Sequence, residues 1–443
     1  MAAGDLLIAG GRVVDPARDF DAPADVLVRD GTIAAIGENL PRRGRRVVDA
    51  GGWIVAPGLV DMHVHLRDPG ETHKEDIATG TAAAVRGGFT AVACMPNTTP
   101  PVDHPTVVEY VRSRAAAVGQ CRVYAAGTIT KARAGRELAP IGTLAGAGVV
   151  ALSDDGSAVP DAGLLRRALS YAAMFDLPVI EHCEDLSLSA GGVMHAGAHA
   201  DVLGLRGIPS SSEAVIVARD LLLAEETGAR LHIAHVSTAA AVALIRAARS
   251  RGVRVTCEVT PHHLTLTDAD VNEFDTDRKV NPPLRGEDDR AALREALADG
   301  TIDAVATDHA PHTPEEKMVE FDQAPSGVVG LETALGVVLT HLVRPGALSL
   351  SMAIRRMSTA PAAILGQAGG TLAPGTPADL VCIDPEHRWT VRRTDLASRS
   401  RNTPFEGWTL QGKAVLTIVG GEIRHDARQE GRRRGTSVEA LTP

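Results

Sequence analysis

Nowhere in the 443 residues does an apolar run reach the roughly 18 residues a membrane-spanning helix needs, so no span is expected. The first residues, Met1 to Asp5, carry neither the basic start nor the apolar stretch of a secretion signal. Cysteine is sparse: Cys94, Cys121, Cys183, Cys257 and Cys382 stand far apart with no Cys-x-x-Cys pair. That spacing argues against a disulfide framework or a thiolate zinc site and for reduced core residues of a cytoplasmic protein. No Gly-x-Gly-x-x-Gly turn follows the first central apolar run, which weakens a dinucleotide-binding reading. Basic excess is missing too: 45 Lys and Arg face 55 Asp and Glu, a net charge of −10, so a nucleic-acid role has no global support. What is present, 44% hydrophobic and 23% charged residues, is ordinary for a folded chain long enough for one large domain and a smaller one.

Both ends of the chain read as short strands. Leu6-Leu7-Ile8 and Arg12-Val13-Val14 flank Gly10-Gly11, and residues 25–28 and 32–36 flank Asp30-Gly31; each is an apolar pair broken by hairpin residues. Residues 379–383 and 414–419, the latter followed by Gly420-Gly421, repeat the style, so the two ends are expected to share one small sheet. Between them, short apolar runs at 59–64, 89–95, 121–126, 148–152, 178–182, 231–236, 253–259 and 302–307 alternate with Ala-rich helical candidates such as 213–227 and 239–251. Eight such runs predict an α/β protein with a parallel (β/α)8 TIM-type barrel, a doubly wound open sheet being the alternative. The expected division is 57–366 for the barrel, with 1–56 and 367–425 forming a β-rich composite domain. A polar tail, 426–443, contains Arg432-Arg433-Arg434, read as a solvated terminus rather than a phosphate site.

The polar residues fall at the ends of these runs. His63 and His65 close the first, Asp154 and Asp155 follow the fourth, His182 ends the fifth, His235 lies near the end of the sixth, and Asp308 and His309 follow the eighth. A parallel barrel brings all its strand C-termini to one face. One histidine there is more often a hydrogen-bonded core residue than a ligand. The i, i+2 spacing of His63 and His65 puts both imidazoles on one strand face, and the convergence of the others favours a metal site. Nitrogen and oxygen donors suit zinc, manganese or cobalt. The set exceeds what one tetrahedral ion needs, so one or two zinc ions are expected, two favoured.

Asp61-Met-His-Val-His-Leu-Arg-Asp-Pro-Gly70 and Ala306-Thr-Asp-His-Ala-Pro-His-Thr-Pro-Glu-Glu-Lys317 resemble the two signatures of dihydroorotases, in the amidohydrolase superfamily. Met95-Pro-Asn97, Ser153-Asp-Asp-Gly156, Glu181-His-Cys-Glu-Asp185, Asn281-Pro-Pro-Leu-Arg285, Gly327-Val-Val-Gly-Leu-Glu-Thr333 and Asn402-Thr-Pro-Phe405 fit the same family. The resemblance implies that His63, His65 and Asp308 bind the more buried metal, that His182 and His235 bind the second, and that Asp155 bridges both, with Asp154 the competing bridge. Many superfamily members bridge with a carboxylated lysine; this sequence resembles the branch that uses aspartate, and a single tightly bound zinc stays open. Arg67, Asn97 and His312 would hold the substrate carboxylate, and Asn281 with the backbone at Ser326 and Gly327 would hold the ring amides. His65 is counted on the substrate side as well. Ser326 departs from the bulkier residue expected there.

The activity so implied is reversible interconversion of dihydroorotate and N-carbamoyl-L-aspartate in de novo pyrimidine biosynthesis. A metal-bound hydroxide would attack the ring amide, with Asp308 as catalytic acid and base. The expected partners are that small substrate and a second copy of the chain as a homodimer; assembly with aspartate carbamoyltransferase stays open. Two rivals remain: another cyclic amidase, an allantoinase or hydantoinase, and a metal-free scaffold for the carbamoyltransferase. Arg67, the 310–317 segment and the missing bridge lysine favour the first reading over the amidases, and the full ligand set argues against the scaffold. His73, His104, His195 and His341 lack ligand spacing, His262-His263 suit loop or supporting roles, and His309 is expected to face away from Asp308. Residues 308–327 read as a substrate-contacting loop.

Overall fold

The computed structural model describes residues 5–429, so Arg432–Arg434 and most of the expected tail lie outside the described residues. Two eight-stranded sheets organise the chain. The first draws on both termini. Its N-terminal strands are β1 (Leu6–Asp15), β2 (Phe20–Arg29), β3 (Thr32–Gly37), β4 (Arg46–Asp49) and β5 (Ile54–Pro57); its C-terminal strands are β16 (Leu380–Thr390), β17 (Thr409–Val419) and β18 (Glu422–Asp426). The order is β18-β17-β16-β5-β1-β2-β3, with β4 also on β1, and the seam between the termini is the antiparallel pair β5–β16. One expectation changes here. Leu6–Ile8 and Arg12–Val14 are not two arms of a hairpin but one strand, with a register shift between Ile8 and Gly11. Gly10 takes φ 75° and donates its N–H to Asp25 Oδ1, so the extra residue is absorbed as a bulge. The Asp30-Gly31 and Gly420-Gly421 pairs do connect neighbouring antiparallel strands, β2–β3 and β17–β18.

The second sheet is parallel and runs β6 (Leu59–Val64), β7 (Phe89–Cys94), β8 (Arg122–Gly127), β9 (Ala151–Ser153), β10 (Val179–Glu181), β13 (Leu231–Ile233), β14 (Val255–Val259) and β15 (Ala304–Val305) in sequence order. The skipped numbers are a short two-stranded ladder, β11 (Met194–His195) with β12 (Gly207–Ile208). A parallel bridge between Val64 and His309, with the His65 N–H donating to His309 O, joins the last strand end to the first and closes the barrel. Helices Ile77–Gly87, Pro105–Val118, Ile141–Ala147, Ala162–Ala173, Ser211–Thr227, Ala239–Ser250 and Glu287–Asp299 intervene between strands, making this an α/β protein with a TIM-type barrel.

Side-chain alternation explains the packing. Leu152, Val179, Leu231, Ile233 and Val305 belong to the large core beneath the helices, whereas Ala91, Ala93, Ala126, Ala151, Ile180, Ala304 and Ala306 form a separate, Ala-rich interior cluster. Small residues suit the narrow bore, and branched ones fill the outer layer. The interior parity continues beyond the strands: Ile180 leads to His182, Ala306 to Asp308, Ala151 and Ser153 to Asp155. Among the described residues no helix is long and apolar enough to cross a membrane, and all five cysteines are buried free thiols.

Candidate active site

A cavity of about 290 Å³ opens at the C-terminal face of the barrel. Its walls include His65, Arg67, Asn97, Asp155, His182, His235, Asn281, Asp308, His312, Ser326 and Gly327. His63 lies just beneath, fully buried. All the residues singled out in the sequence as ligands or substrate contacts therefore come to one place. Three reach it by leaving regular strand geometry. His63 and His65 follow a register irregularity between Asp61 and Val64, which turns them inward after Val60 and Met62. His235 is one residue out of phase with interior Ala234, and its φ of 31° swings the ring back toward the bore. Arg67 (φ 57°) and Asp308 (φ 48°) also occupy the left-handed region. Three such non-glycine residues on one cavity are strain held in place by their surroundings.

Asp155 stands at the centre. Its Oδ1 lies 3.1 Å from His63 Nε2, 3.9 Å from His182 Nδ1 and 3.8 Å from His235 Nε2, and its Oδ2 lies 3.5 Å from His65 Nε2. Two potential ligand sets, His63–His65–Asp155 and Asp155–His182–His235, thus share one carboxylate. Asp308 Oδ1 is 3.0 Å from His65 Nε2 and 3.7 Å from His63 Nε2. Asp154 points elsewhere: its carboxylate accepts from Ile129 N, Thr130 N and Thr130 Oγ1, which fixes the preceding loop. The buried His63 Nε2 makes no hydrogen bond despite its carboxylate neighbour, so its lone pair serves no protein donor. An unpaired buried imidazole nitrogen, three more imidazoles and two carboxylates fit a divalent cation.

A supporting layer sets ring orientations. His63 Nδ1 is 2.6 Å from Glu258 Oε1, whose other oxygen lies 3.3 Å from His232 Nε2; His232 Nδ1 in turn meets Thr256 Oγ1 at 2.8 Å. Such a carboxylate behind an imidazole holds the ring proton on the nitrogen that faces it and leaves the other nitrogen to coordinate. Asn97 does the same for His65, accepting from Nδ1 at 2.9 Å, and its Nδ2 donates to Asp155 Oδ2. Asp61 accepts from the backbone of His63 and Thr307 and so ties the two ligand-bearing strand ends together. Buried Glu213 takes the backbone N–H groups and hydroxyls of Ser237 and Thr238, anchoring the segment that follows His235. Sequence reasoning missed Glu258, Asp61 and Glu213. A legible signal existed for the first two, an acid inside an otherwise apolar strand, because a buried carboxylate needs a partner.

Burial disfavours charge on Asp155 and Asp308, yet His63, His65 and His235 outweigh it and hold both carboxyls well below their usual range. Burial likewise opposes ionisation of Glu258, but His63 and His232 bring it to about 2. Burial pulls the Arg67 guanidinium below its ordinary value. Arg67 Nε donates to Pro311 O, and Nη2 lies 3.5 Å from His312 Nε2. Asn281 Nδ2 faces Glu184 and His182. At the 326–327 wall, His312 Nε2 meets Ser326 O, while the Gly327 N–H donates to Lys279 O and its carbonyl accepts from Asn402. The Gly327 backbone is thus already engaged within the protein.

The other histidines sit apart from the donor set. His309 meets Glu75 and Gly330 N, and His263 meets Thr260 and Pro282 O. Burial lowers His262 to about 4, a neutral ring. His104 caps the helix at Pro105, and His195 stands on β11 beside Arg285.

Residues 52–241 match the model of the dihydro-orotase-like family, and residues 180–425 that of the amidohydrolase family. The dihydroorotase of Pelotomaculum thermopropionicum is 56% identical over 418 residues, 94% of this chain and 98% of that protein. That of Syntrophotalea carbinolica is 54% identical over 420 residues, 95% of this chain and 99% of its own length. Among solved structures, the L-hydantoinase (dihydropyrimidinase) of Arthrobacter aurescens superposes with a TM-score of 0.85 at 30% identity, covering 96% of each chain. The dihydropyrimidinase of Brevibacillus agri gives 0.84 at 25% identity over 95% of each. On near full-length identity above one half, and on a barrel that carries the shared-carboxylate site, the chain belongs to the dihydroorotase family of amidohydrolases.

Proposed function

We propose that this chain is a zinc-dependent cyclic amide hydrolase that interconverts dihydroorotate and N-carbamoyl-L-aspartate, a step of de novo pyrimidine biosynthesis. The observation that carries the reading is one small cavity in which the shared-carboxylate donor set faces a buried guanidinium, Arg67. Relatives named dihydroorotase agree with it. His63, His65 and Asp308 would hold one zinc, His182 and His235 a second, with Asp155 between; two ions are the favoured count. When bound, the cations polarise a carbonyl oxygen and make water acidic enough to attack near neutral pH.

The remaining chemistry belongs to side chains. Arg67 offers a planar fork to the substrate carboxylate, and that contact offsets the cost of burying the guanidinium. His312 stands beside it, and Asn97 adds an Nδ2 donor on the Asp155 side. Asn281 faces the ring amide. Water adds to the ring amide carbonyl carbon, the carbon–nitrogen bond breaks, and the products are a carboxylate and a ureido nitrogen. Asp308, held ionised, accepts the proton released by the attacking water. Once protonated it is a strong acid and passes that proton to the leaving nitrogen. Hydantoin and allantoin lack a ring carboxylate for Arg67 to grip.

Incubation of zinc-loaded protein with dihydroorotate, allantoin and hydantoin tests the reading. Ring opening of dihydroorotate is expected; turnover of the other two alone would sink it. The reading places the enzyme in the cytoplasm, where its five free thiols stay reduced. It includes a homodimer, for which Val215 and Leu222, exposed seven residues apart on the helix Ser211–Thr227, offer an apolar face. Light scattering of the pure chain, and of its mixture with aspartate carbamoyltransferase, separates dimerisation from the alternative assembly.

A further inference from the structure

Glu184 follows β10 at the cavity edge and has no part in the chemistry above. Its Oε2 lies 3.2 Å from His182 Nε2 and 2.9 Å from Asn281 Nδ2. Asn281 Nδ2 is itself 3.2 Å from His182 Nε2, so the three atoms form a triangle. On its other side, His182 turns Nδ1 toward His235 Nε2 at 3.0 Å and Asp155 Oδ1 at 3.9 Å. We propose that Glu184 is a positioning residue that sets the tautomer of His182 and the amide orientation of Asn281 together. This deepens the functional reading and rests on it.

An ionised carboxylate only accepts hydrogen bonds. Glu184 therefore draws the imidazole proton to Nε2 and leaves the Nδ1 lone pair facing Asp155 and His235. It also takes an N–H from Asn281, which fixes which way that amide points. Asn281 then has its Oδ1 left for a ligand, an acceptor suited to a ring N–H rather than a ring carbonyl. Without Glu184 the triangle inverts. The nearest donor to His182 Nε2 becomes Asn281 Nδ2, whose N–H favours the lone pair on Nε2 and the proton on Nδ1. That tautomer cannot offer Nδ1 to a cation without first losing its proton.

Zinc titration against a chromophoric chelator reads the consequence without activity. The wild-type chain should take up two ions. Glu184→Ala should weaken the less tightly held one by roughly 10–100-fold and leave the one at His63 and His65 unchanged. Glu184→Gln, whose amide oxygen can still accept from Nε2, should lose less. Adding Asn281→Ala to Glu184→Ala should restore part of the affinity, because the competing donor is gone; a role of simple negative charge predicts no such recovery. At saturating zinc, Glu184→Ala should also raise KM for dihydroorotate more than it lowers kcat. Overturning results are a Glu184→Ala titration like wild type, equal losses in the Ala and Gln variants, no recovery in the double variant, or a wild-type chain that takes up one ion. Wild-type inactivity on dihydroorotate would count against the functional reading alone, since the titration still decides on Glu184.

Discussion

At the level of single residues, Asp308 and Arg67 divide the work. Asp308 meets His65 Nε2 at 3.0 Å and is kept ionised by its imidazole neighbours. Asp308→Asn keeps the size and one oxygen donor but removes the base. Turnover should fall by about 10²–10⁴-fold, the usual worth of a positioned acid–base group, while the protein retains most of its zinc. Near-normal kcat with full zinc would refute the assignment. Arg67 is buried beside His312, and its Nη1 lies 4.0 Å from Glu71 Oε2. Arg67→Ala should raise KM by about 10–150-fold, corresponding to roughly 1.5–3 kcal/mol for hydrogen bonds to a charged group, with a smaller change in kcat. An unchanged KM removes Arg67 from the carboxylate site. Arg67→Lys should recover little, because an ammonium cannot reproduce the fork.

At the level of elements, the pocket wall is tied together by a residue far along the chain. Asn402 donates Nδ2 to Ala310 O and Gly327 O, accepts from His312 N, and through its own carbonyl takes the N–H of Val329. Asn402→Ala leaves several buried backbone groups without partners. It should destabilise the fold by about 2–4 kcal/mol, since each unsatisfied group costs roughly 1–3 and neighbouring losses do not add fully. KM should rise as the 310–312 and 326–327 segments loosen, with zinc affinity unchanged; a stable variant with wild-type KM would show the clasp to be dispensable. This clasp also marks where sequence reading stops. His182, Asp155 and Asp308 were legible because period-two alternation and the barrel rule predict where strand ends go, and His63 and His65 because their i, i+2 spacing puts both on one face, although the irregularity that turns that face inward was not. His235 was legible only by position: alternation alone would turn it toward the helices, and its left-handed φ is a tertiary outcome. Glu213 and Asn402 act through contacts 24 to 92 residues away, and Glu184 joins His182, two residues off, to Asn281, 97 residues off; no local pattern encodes these distant partners. The Gly10-Gly11 bulge was misread as a turn because a bulge and a hairpin use the same residues.

At the level of the whole molecule, the β-rich sheet braces the barrel, and the metal site draws on five of the barrel's eight strands. Arg122 on β8 pairs with Asp379, just before β16, at 2.6 Å, and Asp379 also accepts from Gly420 N. The donor set itself comes from β6, β9, β10, β13 and β15, so a cation that binds it cross-links the ends of five strands of the closed ring. A ligand that binds only the folded state stabilises it by mass action, about 2.7 kcal/mol at one hundred times Kd for one site. For a chain of this length, unfolding entropy near 2 cal/mol/K per residue makes that worth about 3 °C in Tm. Chelator-stripped protein should therefore melt about 3 °C or more below protein held at such a zinc level, and Tm should keep rising with the logarithm of free zinc beyond saturation. His63→Ala removes the deepest donor and should abolish most of the shift, separating specific binding from adventitious binding at surface carboxylates. A Tm indifferent to zinc in the wild type, or an equal shift in His63→Ala, would mean that the barrel mouth does not hold the ion on which the proposed chemistry depends.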